Sequence, residues 1–243
     1  MGGARAAYGR PLKIAILGAE STGKSQLAGE LASALRSQGK TVSLVGEYLR
    51  EWCDIHGRTP QVDEQALIAH EQVRRVEEAA RAMARSIIIA DTTALMTAVY
   101  SELLFNDASL HAFAAAHQRS YDLTLVTGLD LHWVADGVQR DGPHTREAAD
   151  RLLRAALGRV ALGYQVVYGS GTARLANALH AIKAVEAVNA TIIIANYTDG
   201  TMDRTLFSSE KPEMAEKRAI WTWPCEKCSD PDCEHRLFLQ LLR

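Results

Sequence analysis

Residues 18–25 read Gly-Ala-Glu-Ser-Thr-Gly-Lys-Ser, and this octapeptide constrains the fold more than any other segment of the chain. It matches G-x-x-x-x-G-K-[ST] at every fixed position. The apolar run 12–17 before it suits a buried parallel strand, and residues 26–35 after it have helical apolar spacing. A strand, a glycine loop and the start of a helix, in this order, predict a phosphate-binding loop, or P-loop.

The residue types in the loop indicate how it would hold a nucleotide. Its two glycines let the backbone curl, so that successive N–H groups and the helix N-terminus face phosphate oxygens. Lys24 would reach the terminal phosphates and Ser25 would ligate Mg²⁺. A chance glycine turn before a helix is the alternative, and the flanking strand and helix disfavour it. The predicted contacts to ATP and Mg²⁺ come from Gly18, Ala19, Glu20, Ser21, Thr22, Gly23, Lys24, Ser25 and Gln26.

Length and composition narrow the class of protein. A chain of 243 residues with 47% hydrophobic residues can bury a full core, which excludes a disordered chain. The formal net charge of −2 gives no overall field that favours nucleic acid, so we expect no nucleic-acid partner. The apolar runs are shorter than the roughly 20 residues of a membrane span, and residues 1–10 lack the apolar centre of a signal peptide. We therefore expect a cytoplasmic protein without a membrane partner.

Apolar segments alternate with helical patterns along the chain. After the P-loop unit, residues 41–45, 86–90, 121–126 and 165–168 read as strands, with helices between them. This alternation predicts an α/β protein with the three-layer α/β/α fold of a P-loop NTPase and a parallel five-stranded sheet in the order 2-3-1-4-5. We assign residues 11–188 to this nucleotide-binding domain and residues 189–243 to a small C-terminal extension, in which 191–195 reads as an added strand.

Charged residues follow two of these strands, at the edge where open parallel sheets bind ligands. Glu47 and Arg50 come just after the second strand, and Asp91 ends the third. Asp91 has the position of a Walker B aspartate, which holds or orients Mg²⁺. It could also cap the helix that starts near Thr93, and the two roles can coexist. Glu47 and Asp91 are alternative candidates for the base that accepts a hydroxyl proton, and Arg50 would position the substrate or the base.

Residues 133–143 are rich in charge and glycine, and a helical pattern follows from about residue 145. This composition predicts a lid that carries Arg140 and Arg146, excludes water and supplies positive charge. We assign Arg140 to the charge that builds up on the transferred phosphoryl group. The glycine loop 169–172, which follows the last strand, is a weaker candidate for the place where an adenine base rests.

Three cysteines and a histidine lie close together near the C-terminus. The spacing Cys-x₂-Cys-x₄-Cys-x-His fits a tetrahedral zinc site with a structural role, because a small extension cannot bury enough apolar surface to fold alone. The alternatives are that these residues bind nothing or hold an iron–sulfur cluster. The predicted zinc ligands are Cys225, Cys228, Cys233 and His235.

Taken together, these motifs resemble the ribosylnicotinamide kinase domain of the NadR family over roughly residues 13–183. The resemblance rests on the P-loop, on Glu47-Tyr-Leu-Arg-Glu51, on Asp91-Thr-Thr93 and on the segment from Trp133 to Arg140. It implies transfer of the ATP γ-phosphate to the ribose 5′-hydroxyl of nicotinamide riboside, a step in NAD biosynthesis. The second hypothesis is a nucleotide-dependent regulatory ATPase, or switch, without a small-molecule acceptor. An acceptor pocket between Glu47, Asp91 and the lid would favour the kinase.

Overall fold

Five parallel strands form the central sheet of the computed structural model, which describes residues 10–134 and 143–198. Their order is β2-β3-β1-β4-β5, which confirms the predicted order. The central strand β1 pairs with β3 and β4, so that Ile16 lies opposite both Asp91 and Leu125. The strands are β1 (Leu12–Leu17), β2 (Val42–Val45), β3 (Ile87–Asp91), β4 (Leu123–Thr127) and β5 (Gln165–Val167).

Helices cover both faces of this sheet, as parallel strands with crossover connections require. One face packs against α1 and α7, and the other against α3, α4, α5 and α6. None of the described helices is both long and apolar enough to cross a membrane. The helices are α1 (Lys24–Ser37), α2 (Tyr48–His56), α3 (Gln65–Ala82), α4 (Ala94–Phe105), α5 (His111–Gln118), α6 (Pro143–Arg159) and α7 (Gly171–Thr198), and a 3-10 turn (Val62–Glu64) precedes α3.

The alternation of side chains along β1 builds both halves of the core. Ile14 and Ile16 are fully buried against α1 and α7, whereas Ala15 and Leu17 are fully buried on the opposite face. Burial of an aliphatic side chain of this size contributes about 1.5–3 kcal/mol. Because both faces of β1 are covered, its sequence is a continuous apolar run, and the strand presents its carboxyl end to the P-loop without leaving the core.

The prediction of an added strand at residues 191–195 is wrong. Helix α7 runs from Gly171 to Thr198 and includes this segment. The β-branched run Thr191-Ile-Ile-Ile194 favours a strand by local preference, but it follows directly on an alanine-rich helix. Extending a formed helix adds one backbone hydrogen bond per residue without a new nucleation step, and this outweighs the weak strand preference. The domain division at residue 189 therefore falls within α7, and residues 199–243 lie outside the described residues.

A partly buried polar cluster lies at the end of the sheet opposite the P-loop. Lys13 Nζ donates to Glu77 Oε1 at 2.8 Å, and His117 Nε2 lies 3.4 Å from the same oxygen. The imidazole also contacts the ring of the partly buried Tyr121 edge-on, at a centroid distance of 5.3 Å. Burial lowers the pKa of His117 from its ordinary value of 6.5, and the attraction of Glu77 only partly opposes this. The folded protein thus disfavours the charged imidazole.

We expect the free energy of unfolding to decrease as the pH falls from about 7 through the ordinary histidine pKa of 6.5. In this window the unfolded chain takes up a proton at His117 that the folded chain resists, so protonation stabilises the unfolded state. Urea unfolding at pH 7.5, 6.5 and 5.5 would measure how the free energy of unfolding changes with pH. His117→Gln should make this change smaller. An equal pH dependence of the free energy of unfolding in parent and variant would show that groups other than His117 cause it.

Candidate active site

The P-loop connects β1 to α1 in a conformation that depends on its glycines. Gly18, Ser21 and Gly23 have φ angles of 148°, 56° and 74°. A Cβ atom added at Gly18 would lie 2.0 Å from Thr127 Oγ1 at the end of β4, so no larger residue fits there. Gly23 directly precedes the first residue of α1. The loop therefore packs its backbone against β4 and leads into a helix N-terminus.

Two buried threonines hold the loop in this position. Thr22 Oγ1 lies 2.7 Å from the carbonyl oxygen of Ala19 and 2.6 Å from Thr127 Oγ1. Thr127 Oγ1 in turn lies 3.1 Å from the carbonyl oxygen of Leu17. Sequence reasoning missed Thr127, because nothing in its local sequence marks it as a partner of the loop.

Lys24 and Ser25 stand at the start of α1, where the helix dipole and free N–H groups favour anions. Lys24 Nζ donates to the carbonyl oxygen of Ala19 at 2.9 Å, so its ammonium group lies over the loop. The side chains of Glu20 and Ser21 instead bind protein groups. Glu20 Oε1 accepts a hydrogen bond from Thr145 Oγ1 at 2.5 Å, and Ser21 Oγ accepts one from the backbone N–H of Val134 at 2.8 Å.

A cavity of about 520 Å³ opens beside Ser25 at the carboxyl ends of β2 and β3. It brings together four of the predicted site residues, Ser25, Glu47, Arg50 and Asp91. Arg140, another predicted catalytic residue, lies outside the described residues. The cavity is lined by Ser25, Gly46, Glu47, Arg50, Glu51, Asp54, Ile55 and Asp91.

Asp91 has an enclosed carboxylate at the end of β3. The residue is 6% exposed, and its Oδ1 atom is buried without a hydrogen-bond partner among the described residues. Thr93, rather than Asp91, caps α4, because its side chain accepts a hydrogen bond from Leu95 N–H at 3.2 Å. Leaving a carboxylate oxygen buried and unsatisfied is costly unless a cation or donor joins it. The oxygen chemistry of Asp91 and of the Ser25 hydroxyl suits Mg²⁺.

The backbone next to Asp91 is unusual. Thr92 has a φ of 68°, in the left-handed region that β-branched residues rarely adopt, and its N–H donates to the carbonyl oxygen of Ile16 at 3.0 Å. A residue in this conformation costs about 1–3 kcal/mol and persists only where its surroundings fix it. The strained turn sets the direction in which the chain leaves β3 after the aspartate.

Glu47 occupies the N-cap position of α2, directly after β2, on the other side of the cavity. Arg50, three residues further along α2, places its Nε 3.8 Å from Glu47 Oε2. Glu51 turns toward α3, where Arg75 donates a hydrogen bond to it at 3.0 Å and lowers the pKa of its carboxyl. Glu47 and Arg50 thus form a charged pair at the cavity.

A smaller cavity of about 120 Å³ lies on the other side of the P-loop, between α1 and the glycine loop before α7. Arg174 forms one wall and was missed by sequence reasoning. Its Nη2 donates to the carbonyl oxygen of Thr22 at 2.6 Å, and its Nη1 lies 3.5 Å from Asp130 Oδ1. The cavity is lined by Gly23, Gln26, Leu27, Glu30, Leu131, Ser170, Gly171 and Arg174.

The structure places Arg146, predicted to belong to a lid, in the first turns of α6. It is 8% exposed, and within the part of the chain that the structure describes its Nε and Nη2 atoms are buried without hydrogen-bond partners. Burial lowers the pKa of its guanidinium, and the carboxylates of Asp130, Asp150 and Glu20 partly oppose this. Arg146 thus brings a positive charge into the interior within the field of the P-loop residue Glu20.

The predicted zinc ligands Cys225, Cys228, Cys233 and His235 lie outside the described residues. Within residues 10–134 and 143–198, no three His, Cys, Asp or Glu side chains group as metal ligands. The zinc site therefore stays a prediction from the cysteine spacing.

Comparison with known proteins gives a family and a set of similar folds. The family model AAA_28, described as an AAA domain, matches residues 13–174. The crystal structure of NadR protein in complex with NR matches at 21% identity and a TM-score of 0.56, over 72% of this chain and 51% of that one. NadR in complex with NAD and AMP-PNP matches at 21% identity and a TM-score of 0.54, over 72% and 49%. Thymidylate kinase from Ehrlichia chaffeensis matches at 12% identity and a TM-score of 0.51, over 74% and 99%.

The matches differ in how much of each known chain they cover. The chain spans about half the length of the NadR chains and almost the whole of thymidylate kinase. At these identities the likeness is one of fold, and it confirms the predicted NadR-like P-loop fold. No curated protein matches the chain.

Proposed function

Because the chain belongs to the AAA_28 family of AAA domains, we propose that it is an ATP-dependent kinase for a small nucleoside-like acceptor, most specifically nicotinamide riboside. The cavity of about 520 Å³ beside the P-loop carries this proposal. It lies next to Ser25, where the terminal phosphates of ATP would end, and its size is in the range of small-molecule sites. A regulatory switch would need only a surface that moves, whereas a kinase needs an acceptor site at this place.

The site residues have distinct roles in this reaction. Lys24 and the N–H groups of the P-loop bind the phosphates and neutralise their charge. Ser25 and Asp91 would hold Mg²⁺, which supplies further positive charge at the phosphates when bound. Glu47 accepts the proton of the attacking hydroxyl, since the enclosed Asp91 is committed to the metal. Arg50 orients Glu47 from 3.8 Å.

ATP would lie across the P-loop between the two cavities. Its phosphates would bind at Lys24, and its base would occupy the smaller cavity near Arg174 and the glycine loop before α7. Arg140 and Arg146 stay candidates for the positive charge that stabilises the transferred phosphoryl group.

The charge of the larger cavity favours a cationic acceptor. Four carboxylates line it, those of Glu47, Glu51, Asp54 and Asp91. Glu47 pairs with Arg50 and Glu51 with Arg75, and Asp91 is committed to Mg²⁺, so the negative charge offered to an acceptor comes mainly from Asp54. Nicotinamide riboside carries a positive pyridinium ring, whereas a nucleoside monophosphate such as thymidylate carries negative charge. This lining supports a nucleoside with a cationic base over a nucleotide acceptor.

An acceptor panel tests the proposal. With ATP and Mg²⁺ we expect phosphorylation of nicotinamide riboside and no phosphorylation of thymidylate. The kcat/KM for nicotinamide riboside should be about tenfold or more above that for its uncharged dihydro form. Tenfold corresponds to about 1.4 kcal/mol. Asp54→Asn should narrow the preference for the charged form, and Asp63→Asn, which removes an exposed carboxylate outside the cavity, should not. Binding of ATP with no acceptor phosphorylated would favour the regulatory switch instead.

A further inference from the structure

We propose that Gln72 is a positioning residue that fixes the backbone of Glu47, an inference that rests on the proposed function. Gln72 lies on α3, is 2% exposed and does not line the cavity. Its side-chain amide nevertheless binds the chain on both sides of Glu47. Its Nε2 donates to the carbonyl oxygen of Gly46 at 3.2 Å, and its Oε1 accepts from the N–H of Tyr48 at 2.8 Å.

These two contacts hold the point at which β2 becomes α2. Glu47 has φ −70° and ψ 110°, an extended conformation between a strand and a helix. Tyr48 is the first residue of α2, and the N–H groups of a first helical turn have no partner within the helix. A single planar amide that binds both neighbours of Glu47 fixes the direction of its Cα–Cβ bond, and with it the place from which the carboxylate enters the cavity.

The other described contacts of α2 involve its side chains, and Tyr48 and Leu49 pack against Trp52, Cys53 and Ile68 in this way. The helix has nine residues, and its buried side chains, Trp52 and Cys53, lie at least one turn beyond Glu47. Arg75 of α3 contacts the ring of Tyr48 at 4.4 Å and hydrogen-bonds Glu51, but these are side-chain contacts on a partly exposed surface. Gln72 thus links the buried part of α3 to the backbone on both sides of Glu47 through hydrogen bonds.

A general base acts only within hydrogen-bond reach of the proton it takes, and a displacement of about 1 Å can cost about 100-fold in rate. Replacing Gln72 by Met keeps the side-chain length and removes both hydrogen bonds. We expect kcat to fall about 10- to 100-fold on this basis, with the KM for ATP unchanged, because the P-loop is not touched. A side chain that only stabilises the fold would not lower kcat while leaving the KM for ATP unchanged.

A double-mutant cycle of Gln72→Met and Glu47→Gln tests whether Gln72 acts through Glu47. We expect Gln72→Met to lower kcat in the parent and to change it less than about threefold in the Glu47→Gln background. Gln65→Met, at a buried glutamine two turns earlier on the same helix, is the matched control and should keep the parent kcat. An equal loss in both backgrounds, or no loss in the parent, would overturn the proposal.

A second variant and a second assay cover the cases in which Gln72→Met does not fold or no acceptor is phosphorylated. If Gln72→Met does not fold, Gln72→Asn replaces it, since its amide is one methylene too short to bind both Gly46 and Tyr48. If the parent phosphorylates no acceptor, the kinase proposal fails. The same double-mutant cycle is then measured with the rate of ATP hydrolysis. In that assay, non-additive effects of the two substitutions on the hydrolysis rate would still support the positioning of Glu47 by Gln72. Additive effects would overturn it.

Discussion

Lys24→Ala should lower phosphoryl transfer by about 100- to 1000-fold, the loss typical when one preorganised donor to a charged transition state is removed. The ammonium group lies over the P-loop, 2.9 Å from the carbonyl oxygen of Ala19, where the terminal phosphates would bind. Its removal deletes a phosphate contact and the positive charge that balances the γ-phosphate. The fold should survive, because Lys24 is partly exposed and the buried residues of α1 are unchanged.

The measurement pairs an activity assay with ATP titration calorimetry and thermal unfolding. Lys183→Ala is the matched control, since it removes an exposed lysine from α7 and should behave like the parent in all three. If Lys24→Ala bound ATP and turned it over like the parent, residues 18–25 would not be a phosphate-binding loop.

The core architecture could be predicted because several independent constraints agree on it. Strands buried on both faces appear as continuous apolar runs, and β1 and β3 are the clearest of these. The P-loop motif fixes which strand precedes the nucleotide and makes it the centre of the sheet. Right-handed crossovers then leave few orders, and the observed order β2-β3-β1-β4-β5 is the one predicted.

The failure at residues 191–195 has a different origin. Four consecutive β-branched residues give the same local signal in a buried strand as in a helix that is extended from its N-terminal side. Only the context of α7, already formed from Gly171 onward, decides between them. Periodicity within so short a window cannot supply that context.

The residues that the sequence did not reveal act through tertiary contacts. Thr127 approaches the P-loop from β4, Arg174 reaches the carbonyl oxygen of Thr22 from α7, and Gln72 binds the neighbours of Glu47 from α3. Each is an ordinary polar residue in its own segment. Its role depends on an element far away in the sequence, so no local motif could mark it.

The sequence also could not choose between Glu47 and Asp91 as the base, because both carboxylates follow parallel strands. The structure gives them different environments. Asp91 is enclosed at the end of β3, and one of its oxygens has no hydrogen-bond partner in residues 10–134 and 143–198, whereas Glu47 lies at the N-cap of α2 beside Arg50. An enclosed carboxylate near Ser25 suits a cation, and a carboxylate across the cavity suits the acceptor hydroxyl.

This difference leads to opposite expectations for two amide substitutions. Glu47→Gln should lower kcat about 100- to 10,000-fold, the usual contribution of a general base, while ATP affinity and the Mg²⁺ concentration for half-maximal activity stay at the parent values. Asp91→Asn should also lower kcat and spare nucleotide binding, but it should raise the Mg²⁺ requirement, because it replaces a charged metal ligand with a neutral one.

Mg²⁺ titrations of the parent and both variants at fixed ATP would separate the two roles. The pH profile adds a second criterion, since kcat/KM of the parent should fall on the acid side as the base is protonated, and this limb should disappear in Glu47→Gln. An acid limb that persists in Glu47→Gln and disappears in Asp91→Asn would assign the base to Asp91. The enclosed oxygen of Asp91 would then face the acceptor hydroxyl, and the metal would have to be held from the Glu47 side of the cavity.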